Sequence, residues 1–170
     1  MKYKITDDSG FLALVNSNTY NSFLKEEWKL HLLFNHFVTQ MNLCNISIWK
    51  TNNSGGGYWN VNIVTEKSNL KSVREFTSKI NVTHQKLYLT NFEDLSMAAS
   101  YTDEKIPAQH NSDLFYKLEN GLYTVTVRQF FYPNNYKEKT ENILDFEIVI
   151  KPTTTESKTN LIKEIIWEKY

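Results

Sequence analysis

The chain predicts a mostly β fold in a single domain over residues 1–170: an antiparallel β-sandwich or partly open barrel with one or two short helices. Three observations predict it. Aromatic residues make up 14% of the chain, which suits pleated, half-buried surfaces. Short alternating apolar and polar runs recur with turn residues between them, and strands do not alternate regularly with helices. Finally, two such runs in Asp113 to Tyr132 meet at Asn120-Gly121, the dipeptide that best suits a two-residue type I′ hairpin turn.

That turn implies a register. With Glu119 opposite Leu122, Leu118 faces Tyr123, Tyr116 faces Val125 and Leu114 faces Val127, so one side of the hairpin is apolar throughout. Its other side pairs Lys117 with Thr124 and Phe115 with Thr126, then continues through Arg128 to Phe130.

The other elements follow in chain order. Lys2 to Thr6 and Phe11 to Asn16 are apolar runs separated by the turn-forming Asp7-Asp8-Ser9-Gly10, and they read as a first hairpin. Between Thr19 and Val38 two periods compete. Phe23, Leu24 and Trp28 have helical spacing, whereas Trp28, Leu30, Leu32 and Phe34 alternate, which predicts a short helix over 20–26 that passes into a strand. Leu43 to Thr51 and Gly57 to Thr65 form a second hairpin around the loop Asn52 to Gly56, with Cys44, Ile46 and Ile48 on one face. Leu70 to Phe76 reads as a polar connector with a helical turn, and Lys79 to Thr83 and Lys86 to Asn91 read as strands around Thr83-His84-Gln85. Glu93 to Ala99 is a helical turn, and Thr102 to Asn111, with Pro107, is a long loop. Leu144, Phe146, Ile148 and Ile150 define a half-buried strand. Beyond Pro152, Leu161, Ile162, Ile165 and Ile166 have helical spacing behind Asn160, although Glu164 to Trp167 equally suits a strand.

Charge narrows the function classes. Nineteen Lys and Arg against 19 Asp and Glu leave a formal net charge of zero, so no whole-molecule field favours nucleic acid or an anionic membrane surface. No segment has the ~20 apolar residues of a membrane span, and the opening residues lack the apolar run of a secretory signal. Cys44 is the only cysteine; an internal disulfide and a cysteine-cluster metal site are excluded, and the cytoplasm is the expected compartment.

No chemistry-bearing constellation stands out. His31 and His36 are five residues apart, His84 sits in a turn and His110 in a loop, which is not a metal-ligand spacing. Asn52 to Gly57 is glycine-rich but has no lysine and opens no helix, so it reads as a flexible loop and not a phosphate cradle. No cofactor and no metal are expected. Two groups remain as contact surfaces. Glu93, Asp94, Asp103 and Glu104 are the only local concentration of acid, either a solvated face or a patch that docks a basic partner. Arg128, Phe130 and Tyr132 share the polar side of the organising strand and have the side chains most enriched at interface hot spots. They form an anchor if that side is open.

Ile5 to Val15, the Trp28 region, Gly57-Tyr58-Trp59-Asn60-Val61 and Gly121-Leu122-Tyr123-Thr124-Val125-Thr126-Val127 occur in an order that resembles a family of small bacterial β-rich proteins, some of them immunity proteins of polymorphic toxin systems. The resemblance spans Lys2 to Tyr132 and transfers no catalytic residue. It implies a non-enzymatic cytoplasmic protein that binds another protein, such as a toxin domain, and neutralises it by occlusion. A small-ligand or carbohydrate-binding domain, or an enzyme with a site assembled from scattered polar residues, is the competing expectation.

Overall fold

In the computed structural model, which describes residues 1–25, 27–134, 144–153 and 161–168, the strands form two facing sheets that do not close into a barrel. The five-stranded sheet has the order β1 (Lys2–Asp7), β4 (Gly57–Val64), β9 (Phe146–Pro152), β8 (Gly121–Gln129), β5 (Arg74–Val82). The four-stranded sheet has the order β3 (Ile46–Lys50), β2 (Phe11–Val15), β6 (Lys86–Asn91), β7 (Phe115–Lys117). Every pairing is antiparallel except that of β4 with β9. Helices α1 (Leu30–Asn42) and α2 (Phe92–Ser100) cover the outer face of the four-stranded sheet. No helix among the described residues is long and apolar enough to cross a membrane.

The fold class is as predicted, but the expected hairpins are absent. Each tight connection joins strands in different sheets: Asp8 to Gly10 leads from β1 to β2, Thr51 to Gly56 from β3 to β4, Thr83 to Gln85 from β5 to β6, and Leu118 to Asn120 from β7 to β8. Asn120 does not adopt the positive φ that a type I′ turn requires. Its side chain instead accepts a hydrogen bond from the Gln85 N–H at 2.8 Å, which ties two neighbouring corners together. Leu114, Tyr116 and Leu118 therefore do not pair with Val127, Val125 and Tyr123. They meet them across the sandwich in one inter-sheet core with Trp49, Trp59 and Phe146.

Two helical readings are also corrected. The helix lies over Leu30–Asn42, not residues 20–26, because Leu33, Phe34, Phe37 and Met41 supply the buried stripe; each such side chain contributes roughly 1.5–3 kcal/mol. Cys44 precedes β3, half-buried at φ 58, instead of sharing the face of Ile46 and Ile48. The terminal segment is not a helix: Ile166 makes a parallel bridge to Trp49, and Trp167 packs on Phe76 and Arg74. The Asn160 cap lies outside the described residues.

The corners at Gly10 and Gly56 nest against each other. Gly10 has φ 81 and accepts a 2.7 Å hydrogen bond from the Thr51 N–H, while a Cβ on Gly56 would lie 2.1 Å from the Asp7 carbonyl oxygen. The glycine-rich loop is thus a packing device. Between the corners lies Asp7, 3% exposed, which accepts from the Trp59 indole N–H and the Gly10 N–H. Burial pushes its carboxyl up to about 7 against those hydrogen bonds, and Glu93 adds to the rise.

Two predictions follow from this packing. Val125→Asp places an unpaired carboxylate in the inter-sheet core, where Val125 is fully buried, and should cost several kcal/mol; an unchanged thermal midpoint at neutral pH would refute the facing arrangement. For Asp7 the folded pKa exceeds the unfolded one, so between pH 4 and 7 the native state holds the extra proton. Stability from this group is then greatest at acid pH and falls by up to about 1.4 kcal/mol per pH unit as pH rises towards 7. Melting temperatures at pH 5 and pH 8 should differ in the wild type and converge in Asp7→Asn.

Candidate functional site

Residues Tyr101 to Lys105 are five consecutive exposed positions between α2 and the 3-10 turn Gln109–Asn111. The segment is held on both sides. Before it, α2 ends with the Tyr101 N–H donating to the Met97 carbonyl at 3.0 Å, and the helix begins at Asn91, whose side chain accepts from the Asp94 N–H at 2.9 Å and donates to the Thr6 carbonyl at 2.9 Å. An Asn with an acid three residues on, at the start of an apolar run, is the local reason that a helix begins here. Beyond the segment, in the 3-10 turn, Asn111 is buried and donates to Asp94 Oδ2 at 2.8 Å, while the Thr90 hydroxyl donates to the same oxygen at 3.0 Å. His110 Nε2 lies 3.2 Å from Asp94 Oδ1. One buried carboxylate therefore joins β6, α2 and the 3-10 turn, and Ile106, directly after the segment, anchors the chain in the helical-layer core.

A second strand of chain supports the loop from outside. The Leu24 and Lys25 N–H groups donate to the Ala99 carbonyl at 2.9 and 3.2 Å, and the Trp28 indole donates to the Ser100 hydroxyl at 2.9 Å. Between this strand and the loop is a hollow of about 200 Å³ lined by Ser17, Tyr20, Ser22, Thr102, Glu104, Lys105 and Ile106. Phe23, Met97 and Tyr101 leave apolar surface exposed on the same neighbouring segments.

The predicted contact residues separate in this frame. Asp103 and Glu104 are exposed on the loop, Asp94 is its internal brace, and Glu93 is half-buried with both carboxylate oxygens enclosed. Arg128 is not on an open face, which corrects its reading as an anchor. It is 2% exposed, ion-paired with buried Glu147, 3.4 Å from Glu75, and covered by the chain at Ser68 and Leu70, whose carbonyls accept from it. Phe130 stacks on the Arg128 guanidinium at 5.2 Å, and only Tyr132 of the three is freely exposed. The Arg128 face and the acidic loop lie on opposite sides of the sandwich, so the fold does not bring them together.

The remaining sequence candidates lie apart. His31 and His36 are on α1, His84 is at a corner, and no three His, Cys, Asp or Glu residues gather into a metal-binding group among the described residues. Burial pushes the Cys44 thiol up, partly offset by Lys79. Sequence reasoning missed Ser17, Tyr20, Ser22 and Met97. No local motif marks the serines, which reach the site because residues 17–25 fold back along α2.

No protein-family model matches the chain, and no curated protein does. Two solved structures are similar over most of their length. One, titled "Crocagin biosynthetic gene J", aligns with 89% of this chain and 95% of its own at 8% identity and a TM-score of 0.58. The other, ComJ from Bacillus subtilis, titled an inhibitor of the DNA-degrading activity of NucA, aligns with 88% of this chain and 93% of its own at 10% identity and a TM-score of 0.49. At such identities the first likeness extends to the fold alone, and the second carries no functional weight.

Proposed function

We propose that this protein is a non-enzymatic cytoplasmic binding domain that holds a basic partner protein on the Tyr101–Lys105 loop, in the manner of an immunity protein that occludes a toxin domain. The observation that supports this reading most is the internal brace on an otherwise exposed acidic loop. Ordering a free backbone costs about 1–2 kcal/mol per residue, and a loop already held by Asp94, Asn111 and Ile106 avoids most of that cost on binding. Its exposed side chains have the character of a contact surface. Tyr101 and Met97 offer apolar area, while Asp103 and Glu104 steer a partner of opposite charge. The resemblance to immunity proteins supports the finer assignment, and a large toxin gene immediately upstream would add to it.

Capture from extracts of the native host tests the surface. Asp103→Lys combined with Glu104→Lys should weaken retention of the specific partner at least tenfold, about 1.4 kcal/mol, with the wild-type complex weakening as salt rises. Undiminished retention by this charge reversal moves the interface elsewhere. Asp94→Ala tests the brace separately. It leaves the buried Thr90 and Asn111 donors without their acceptor, at about 1–3 kcal/mol. Amides of residues 101–108 should then exchange faster, and capture should weaken although Asp103 and Glu104 are intact; unchanged exchange would show that the loop does not depend on Asp94.

A further inference from the structure

The hollow beside the loop has a chemistry of its own, narrower than the acidic surface around it. Its one carboxylate, on Glu104, stands with the hydroxyls of Ser17, Ser22 and Thr102, all able to accept hydrogen bonds, over apolar ground supplied by Ile106 and the ring of Tyr20. Tyr20 is 7% exposed and its hydroxyl has no hydrogen-bond partner among the described residues, although a buried tyrosine ordinarily finds one. A volume of about 200 Å³ suits one long side chain and not a drug-sized ligand.

We infer that this hollow is the receptor for a single arginine side chain of the partner, whose guanidinium pairs with Glu104 while its methylene stem lies against Tyr20 and Ile106. The inference rests on the reading above, that this loop meets a basic protein. Arginine fits better than lysine for two reasons. Its planar fork offers five donors to a site rich in acceptors, and its weakly hydrated face stacks on an aromatic ring, whereas an ammonium keeps its water. Lys105, next to Glu104 in the chain, is the one cation of the lining among the described residues. It is exposed on a flexible stem, and its charge opposes the ligand's.

N-acetyl-arginine amide titrated into the isotopically labelled full chain tests the assignment by amide chemical shifts. Saturable shifts should cluster at Ser22, Thr102 and Ile106 in the millimolar range. The uncharged isostere N-acetyl-citrulline amide should bind at least tenfold more weakly. Glu104→Gln, shown to melt like the wild type, should lose the arginine response, and Lys105→Met should strengthen it. Equal binding of arginine and citrulline, an unaltered response in Glu104→Gln, or shifts elsewhere on the surface would overturn the inference. Absence of any arginine response alongside a partner still lost on charge reversal would overturn this receptor while leaving the binding loop in place.

Discussion

Much of this fold turns on one buried carboxylate. Asp7 ends β1 at the corner where the chain leaves one sheet for the other, and it accepts from the Gly10 N–H of its own turn and from the indole of Trp59 on the neighbouring strand. A carboxylate in that position costs several kcal/mol in desolvation unless donors meet it. It is tolerable only where the corner is tight, and the corner is tight only because Gly10, Gly55 and Gly56 let two backbones touch. Trp59 then lies within 5.5 Å of Phe146 and stacks on Phe131 at 5.1 Å, so the packing of the inter-sheet core begins at this corner.

The alternation of side chains along each strand was readable from the sequence, and the partners of each strand were not. Leu114, Tyr116 and Leu118 face inward with Tyr123, Val125 and Val127 in both the expected hairpin and the observed sandwich, because a period of two says which side of a strand is apolar and nothing about what covers it. Asn-Gly favours a hairpin only when both residues take positive φ. Here the Asn120 side chain is engaged with Gln85, and a longer-range contact overrides the local preference. Helix α1 was missed for a related reason. Leu30 and Leu32 complete an alternating pattern that tertiary structure does not use, while Leu33, Phe34, Phe37 and Met41 form the stripe that packs on the sheet. The run Phe11 to Val15 is apolar without alternation because β2 is covered on both faces, by the other sheet and by the helices.

For the candidate site, charge was legible and burial was not. Glu93, Asp94, Asp103 and Glu104 form one acidic cluster in sequence, yet only Asp103 and Glu104 are fully exposed. The N-cap pattern Asn91-Phe92-Glu93-Asp94 marks the turn in which Asp94 is drawn inward. Arg128 carries the opposite lesson. An arginine on the polar side of a strand invites a surface reading, but Glu147 lies opposite it on β9 and the chain at Ser68 and Leu70 closes over the pair. Such a pair, once enclosed, is a structural element whose loss leaves an unpaired charge.

These closures bear on where binding can reside. Both faces of the four-stranded sheet are occupied; on the outer face of the five-stranded sheet Arg128 is committed to internal pairing, while Thr77, Thr124, Thr126 and Lys151 line an open hollow of about 270 Å³. The Tyr101–Lys105 loop is built differently, with its anchoring and its exposed parts on separate residues. Asp94, Asn111 and Ile106 hold the backbone from below, and none of the five exposed side chains above them contributes to the two hydrophobic clusters. Substitutions at the exposed positions therefore alter charge and shape at little expense to stability, since surface changes of this kind usually stay within about 0.5 kcal/mol. A contact surface that can change partner without unsettling its scaffold needs that separation, and in this chain the loop beside α2 has it.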